Sequence, residues 1–164
     1  MKALVAYYSW TGKTAEIAKA IAAELGADLE AISEPKPRRG VFAFLRSALE
    51  ARGKEAAPIL PLSRRAGDYD IVILGSPVWA GRIASPMRAY IERERVNLKQ
   101  VAFFCTLGGA NGEQALADLR EACGLDPRAE LLIDARALAT GIWRAPVGAF
   151  GRKIALALAT PAAA

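Results

Sequence analysis

The chain has 164 residues, of which 53% are hydrophobic, so it is long enough for one domain with a complete core. It contains no histidine and only two cysteines, which excludes a zinc site and any serine–histidine or cysteine–histidine nucleophile, and with them most hydrolases. The net charge of +5 permits binding of anionic ligands or partners.

Residue patterns also bear on location and on nucleic acids. No leading stretch looks like a targeting signal, and no apolar run approaches the ~20 residues of a membrane span, so we expect a soluble cytoplasmic protein without membrane contact. The basic residues are spread over residues 36–54 and 82–95 and form no dense run with interleaved aromatics. We therefore expect solvated faces there and no nucleic-acid surface.

Strand and helix patterns alternate from the first residues onward. The apolar run Ala3–Tyr8 predicts the first strand, and apolar residues at helical spacing over residues 15–25 predict a helix that stops at Gly26. Residues 28–32 predict a short second strand. Residues 33–65 follow as a long excursion within the domain, opened and closed by prolines, in which residues 41–52 fit a helix.

The second half of the chain continues this alternation. The nearly continuous apolar run over residues 70–75 is typical of a strand buried on both faces of a parallel sheet. Ser85 and Pro86 begin another helix, because proline is favoured in the first helical turn. The remaining predicted elements are a fourth strand over residues 101–106, a helix over 113–122, a fifth strand over 130–135 and a final helix over 147–159.

Five strands alternating with helices predict a single α/β domain over residues 1–164, with an open parallel sheet covered on both faces. In such sheets, ligands bind beyond the carboxyl ends of the strands. Three loops occupy that edge, over residues 9–14, 75–82 and 106–112. We expect the ligand site to lie among them.

The first of these loops has the composition of a phosphate site. Ser9, Thr11 and Thr14 offer hydroxyls, Gly12 lets the backbone come close, and the N–H groups of the following helix carry partial positive charge. A triphosphate loop is disfavoured because Tyr7 stands where its first glycine is required. The G-x-G-x-x-G pattern of a dinucleotide site is missing as well. An ordinary N-capped helix remains the alternative.

The other two loops suit a flat ligand. Trp79 lies between small residues in the second loop, where it would either stack on a planar ring or pack on neighbouring loops. In the third loop no bulky side chain follows Leu107, so its backbone would either lie against a ligand edge or form a plain flexible connection. Cys105, near the end of the fourth strand, is more typical of a small core residue than of a redox group.

Taken together, the three loops resemble those of the flavodoxin-like family. Residues 9–14, with the sequence Ser-Trp-Thr-Gly-Lys-Thr, look like the family's (S/T)-x-T-G-x-T signature, and residues 70–81 look like its third strand and first flavin-edge loop. The resemblance covers nearly the whole chain. It implies a three-layer α/β/α flavodoxin-like sandwich, a five-stranded parallel sheet of order 2-1-3-4-5, and bound FMN.

By the same resemblance, the first loop would hold the FMN phosphate and the other two would flank the isoalloxazine. The implied cofactor-binding residues are Ser9, Trp10, Thr11, Gly12, Lys13, Thr14, Pro77, Val78, Trp79, Ala80, Gly81, Thr106, Leu107, Gly108, Gly109 and Gly112. No catalytic residue and no metal ligand is predicted. Lys13 would either attract the phosphate or be a solvated side chain of the first helical turn.

The resemblance leaves the function between two classes. One is a redox protein that carries one or two electrons between a donor and a partner protein or small acceptor, and the other is an NAD(P)H-dependent FMN quinone reductase. A binding module without flavin is a further alternative. The basic charge and the lack of a tyrosine in the third loop differ from many short-chain flavodoxins. The outer flavin face would therefore be either covered by another element or open, and an open face would suit a quinone-like molecule or a redox partner. Related proteins occur as monomers and as homodimers, and the sequence fits either.

Overall fold

Five parallel strands form the centre of the computed structural model, which describes residues 2–35 and 57–159. The parallel strands lie side by side in the order β2-β1-β3-β5-β6, and a short strand, β4, pairs with β3 in the antiparallel direction. The predicted parallel sheet of five strands in this order is confirmed, and the antiparallel strand β4 is an addition that the sequence analysis did not predict. The strands are β1 (Ala3–Tyr8), β2 (Asp28–Ile32), β3 (Ile71–Trp79), β4 (Arg82–Ile83), β5 (Val101–Leu107) and β6 (Pro127–Asp134).

The third strand is longer than predicted and continues into a hairpin. The apolar run suggested an end at Gly75, yet β3 pairs with β5 as far as Pro77 and Thr106. It then turns back into β4 through Ala80 and Gly81, whose φ angles of 50° and 77° are both positive, as a type I′ turn requires. The stretch directly after Gly75, predicted as loop, is therefore strand.

The turn residue Ala80 gives a testable prediction. A positive φ is unfavourable for alanine but well tolerated by asparagine, which favours type I′ turns when glycine follows. Ala80→Asn is therefore expected to raise the free energy of unfolding by about 0.5 to 1 kcal/mol, measured by urea denaturation. The control is Ala117→Asn at an exposed helical position, where a small decrease in the free energy of unfolding is expected, because asparagine has a lower helix propensity than alanine. A loss at both positions would contradict the turn assignment.

In the described part of the chain five α-helices cover the sheet, and four of them match predicted ones. The unpredicted helix spans Ala135–Thr140. Its N-cap is Asp134, whose carboxylate accepts a hydrogen bond from the N–H of Ala137 at 2.7 Å, and its C-cap is Gly141, with φ of 71°. None of the helices within residues 2–35 and 57–159 is long and apolar enough to cross a membrane. The helices are α1 (Lys13–Leu25), α2 (Ser85–Glu94), α3 (Gly112–Cys123), α4 (Ala135–Thr140) and α5 (Arg144–Ala159).

Alternate strand residues build an apolar layer on each face of the sheet. Leu4 and Leu74 belong to the layer that packs against α2 and α3, whereas Val5 and Ile73 belong to the layer that packs against α1 and α5. All six residues of β1 are buried because it lies between β2 and β3 with helices on both sides. The predicted three-layer α/β/α architecture is confirmed.

The two described ends of the predicted excursion lie beside β2. Residues 33–35 and 57–65 contain neither helix nor strand, and the N–H of Leu60 donates to the carbonyl of Ser33 at 2.8 Å. The buried carboxylate of Glu30 accepts from the N–H and the hydroxyl of Ser63, at 3.1 and 2.7 Å. The excursion therefore starts and finishes at the same sheet edge. The helix predicted over residues 41–52 lies outside the described residues.

Candidate functional site

The loop between β1 and α1 presents open backbone donors. Its Gly12 has φ of 89° and occupies the N-cap of α1, where it has no side chain that could cap the helix. The first N–H groups of a helix have no partner within the helix, so they remain available to an anion. Ser9 accepts from the N–H of Ala15 at 3.1 Å, while Thr11 and Lys13 are exposed beside the open donors.

A buried pair of hydroxyls joins this loop to the sheet. Thr14 Oγ1 and Thr106 Oγ1 lie 2.8 Å apart, and both side chains are buried. Thr14, predicted as a phosphate ligand, therefore already uses part of its hydrogen-bonding capacity within the protein. The pair fixes the start of α1 against the carboxyl end of β5.

A cleft of about 190 Å³ opens at the carboxyl ends of β1, β3 and β5. It is smaller than the roughly 300 to 1,000 Å³ that encloses a small-molecule ligand, so a larger ligand would stay partly outside it. Of the predicted site residues, Ser9, Gly12, Ala80, Gly81, Gly109 and Gly112 do not line this cleft. The residues that line it are Trp10, Thr11, Lys13, Thr14, Pro77, Val78, Trp79, Thr106, Leu107, Gly108, Ala135 and Leu138.

An aromatic cluster forms one wall of the cleft. The indole of Trp79 is only 6% exposed and meets the rings of Tyr8 and Trp10 edge to face, with centroids 5.5 and 6.0 Å away. Trp79 is thus mainly a packing residue, as one of the two sequence interpretations had it. Trp10 is half-buried and is the more accessible indole of the wall.

The glycines of the third loop differ in their roles. A Cβ atom on Gly108 or Gly109 would meet nothing within 4 Å, so the chain's own packing leaves space above this backbone. At Gly112, by contrast, a Cβ atom would lie 2.9 Å from a methyl carbon of Leu132. Glycine at the start of α3 therefore has a packing reason of its own, and its role in binding a ligand stays a prediction.

Two cleft residues were missed by the sequence analysis. Ala135 and Leu138 lie on α4 and line the cleft. The available signals were the N-cap Asp134 and the terminating Gly141, but six residues are too few to show a helical period.

A buried charge cluster beside the hairpin was also missed. The carboxylate of Asp118 on α3 is fully buried and lies 2.6 Å from Nη1 of Arg82 and 3.4 Å from Nη2 of Arg88. Arg88 is itself only 7% exposed. The cluster fastens β4 and α2 to α3, next to the turn at Ala80.

Both cysteines are core residues. Cys105 is fully buried, and burial raises the pKa of its thiol far above the usual range. Cys123 is 3% exposed, and burial raises the pKa of its thiol to about 12. The preference for a structural Cys105 over a redox one agrees with this environment, since a buried neutral thiol is a poor nucleophile.

These thiols predict a loss of stability at high pH. Above pH 9 the unfolded chain releases the thiol protons and the folded chain keeps them, so the free energy of unfolding falls by about 1.4 kcal/mol per pH unit for each thiol until its folded pKa is reached. Urea denaturation at pH 8, 9, 10 and 11 measures this slope. The variant with Cys105→Ala and Cys123→Ala is expected to have a shallower slope, whatever its stability at pH 8. An unchanged slope would contradict the burial of the thiols.

Comparison with known proteins agrees with this geometry. A family model described as flavodoxin matches residues 2–131. A comparison with curated proteins gives no match. Among solved structures, a flavoprotein from Lactobacillus acidophilus in complex with FMN is 24% identical, with a TM-score of 0.70 over 85% of this chain and 97% of its own.

Two further structures are similar. A candidate flavoprotein from Bacteroides eggerthii is 28% identical, with a TM-score of 0.72 over 86% of this chain and 95% of its own. Another, from Bacteroides uniformis, is 24% identical, with a TM-score of 0.77 over 92% of this chain and 97% of its own. With the family model matching most of the sequence and the parallel strands in the expected order, the chain belongs to the flavodoxin family.

Proposed function

We propose that this protein binds FMN in the cleft and carries one or two electrons between a donor and a partner protein or small acceptor. The observation that carries the proposal is a helix N-terminus with glycine at its N-cap beside an apolar, aromatic-walled cleft at the carboxyl edge of the sheet. The similar flavoprotein from Lactobacillus acidophilus, whose structure contains FMN, supports it.

The first loop supplies what a phosphate dianion requires. The free N–H groups at the start of α1 can donate hydrogen bonds to the phosphate. Because Gly12 has no side chain, the phosphate can come close to these groups. The hydroxyl of Thr11 and the ammonium of Lys13 add donors at the exposed side. Ser9 acts indirectly, because its hydroxyl holds the N–H of Ala15 and so fixes the loop.

The remaining walls suit a planar ring system. Trp10 offers an accessible indole face, and Pro77, Val78 and Leu107 are half-buried residues that line the cleft. Bound FMN would supply the redox chemistry, while the chain's residues position the ring and restrict water around it. The aromatic packing of Trp79 behind Trp10 keeps this wall rigid.

One observation favours the second candidate function, an NAD(P)H-dependent FMN quinone reductase. The space above Gly108 and Gly109 is open, so a second reactant can approach the ring from that side. Purified protein that consumes NADPH in the presence of a quinone would support the reductase. Protein that is reduced only by a reductase protein would support the carrier, whose basic surface would select acidic partners.

The cofactor proposal predicts a specific effect of Lys13. Titration of the protein with FMN, followed by visible absorbance, is expected to saturate, and Lys13→Gln is expected to weaken FMN binding by about tenfold through loss of a charge-assisted hydrogen bond. Riboflavin, which lacks the phosphate, should bind equally well to both proteins. The matched control is Lys19→Gln, an exposed lysine on the same helix that does not line the cleft.

Each part of this titration has its own contrary result. Failure of the unaltered protein to bind FMN would refute the cofactor proposal and leave the binding module without flavin. Equal FMN affinities for the protein and Lys13→Gln would instead mean that Lys13 is a solvated side chain and that backbone donors hold the phosphate alone.

A further inference from the structure

A second recess lies where the turn of the β3–β4 hairpin meets the start of α3. It has a volume of about 350 Å³ and is lined by Ala80, Gly81, Arg82, Asn111 and Gln114. Its lining is polar, in contrast to the cleft. The hairpin that lines the cleft through Trp79 reaches this recess through Arg82, which is the cross-strand neighbour of Trp79.

The buried charge cluster holds the guanidinium of Arg82 in place. Nη1 of Arg82 donates to Asp118 at 2.6 Å, and the second carboxylate oxygen of Asp118 is taken by Arg88. Arg82 keeps 29% of its side chain exposed, whereas the side chain of Asp118 is fully buried. A guanidinium has five N–H donors, so Arg82 retains donors on its exposed side, and their direction is fixed by Asp118.

The charges of this cluster do not cancel. Two guanidiniums share the single carboxylate of Asp118, which leaves a net positive charge within the Arg82, Asp118 and Arg88 group. The other side of Arg88 faces a separate groove that also contains Glu92, Arg95 and Glu121. Arg82 is the member of the group that meets the recess, so an anion entering there is attracted.

Two amide side chains complete the recess. Asn111 and Gln114 are exposed, and among the described residues neither amide makes a side-chain hydrogen bond. Asn111 is held with φ of 70°, and a Cβ atom on Gly81 would lie only 3.1 Å from its Cβ atom. The tip of the hairpin therefore packs closely on the third loop and joins the two halves of the recess.

From this arrangement we infer that the recess binds the carboxylate of a small aromatic reactant, whose ring extends towards the FMN proposed for the cleft. The fixed guanidinium of Arg82 receives the carboxylate, and the amides of Asn111 and Gln114 donate to its oxygens. The placement of the ring beside FMN rests on the proposed function. The assignment of the carboxylate to the recess rests on the recess alone.

The test is a binding experiment on isotopically labelled protein with benzoate as probe. The side-chain NH₂ signals of Asn111 and Gln114, assigned with Asn111→Gly and Gln114→Ala, are followed by NMR in the FMN-loaded and the FMN-free protein. We expect saturable shifts with benzoate and at least tenfold weaker binding of benzamide, which is neutral, and of acetate, which has no ring. Equal binding of benzoate and benzamide, or no binding of benzoate, would overturn the inference, and equal binding of acetate would overturn the placement of the ring.

Variants assign the carboxylate to Arg82. Arg82→Gln is expected to weaken benzoate binding at least tenfold. The control is Arg120→Gln, which should leave benzoate binding unchanged, because Arg120 is an exposed residue of α3 that pairs with Glu130 of β6. If Arg82→Gln does not fold, Arg82→Lys is used instead. Lysine keeps the positive charge but cannot donate two parallel hydrogen bonds to a carboxylate, so at least threefold weaker benzoate binding is expected. Unchanged binding in the folded variant would overturn the inference. Because benzoate is also titrated into FMN-free protein, failure of FMN binding is distinguishable from failure of the recess.

Discussion

Asp118→Ala is expected to lower the free energy of unfolding by about 3 to 5 kcal/mol, the range measured when one partner is removed from a buried ion pair. The side chain of Arg88 is only 9% exposed, and the substitution removes the carboxylate that lies 3.4 Å from its guanidinium. It also frees Arg82, which holds the hairpin strand β4 against α3. Urea denaturation at neutral pH measures the loss.

A more exposed ion pair, between α3 and β6, provides the control. Arg120 and Glu130 lie 2.6 Å apart, but their side chains are 43% and 27% exposed. Glu130→Ala is therefore expected to lower the free energy of unfolding by less than about 1 kcal/mol. Asp118→Asn, which keeps the shape and one acceptor, should fall between the two. Equal small losses for Asp118→Ala and Glu130→Ala would mean that solvent screens the cluster.

Gly75→Ala is expected to lower the free energy of unfolding by about 2 to 3 kcal/mol, at the upper end of the range for overpacked cores. Gly75 pairs with Phe104 across β3 and β5, and the aromatic ring covers the glycine backbone. A Cβ atom would overlap the ring, with Cε2 at 2.8 Å and two further ring carbons nearer still. Phe104 is fully buried, so its ring cannot swing out into solvent to avoid the added methyl group.

Two comparisons test this explanation. Gly108→Ala adds the same methyl group where nothing lies within 4 Å, and its unfolding free energy should be nearly unchanged. Adding Phe104→Leu to Gly75→Ala should recover part of the loss, because the smaller side chain leaves room, and a double-mutant cycle measures that coupling. Strictly additive losses would show that the ring is not the obstacle.

The sheet was predictable from the sequence because its strands are buried on both faces and therefore appear as continuous apolar runs. The ends of these runs were less informative. Ser76 and Pro77 resemble turn residues, yet Pro77 pairs with Thr106 at the end of β5. The start of α1 was placed two residues late, since the positive φ of Gly12 is a property of the folded turn.

Contacts between distant residues were not predictable. By composition, Asp118 looks like a residue on the solvated side of α3, but arginines 36 and 30 residues away in the sequence bury and pair with it. The role of Trp79, ligand stacking or packing, could not be decided from the sequence, because its packing partners Tyr8 and Trp10 come from another strand and loop. The first loop could be recognised because its signal lies in a single short stretch of chain.

The hydroxyl pair of Thr14 and Thr106 makes two of the cleft's loops a single mechanical unit. It links the residues that start α1 to the strand end from which the third loop leaves. When an anion immobilises the first loop, the conformational entropy that remains to be lost by the third loop is smaller. The two ends of an extended ligand are therefore thermodynamically coupled through the protein as well as through the ligand's own covalent bonds.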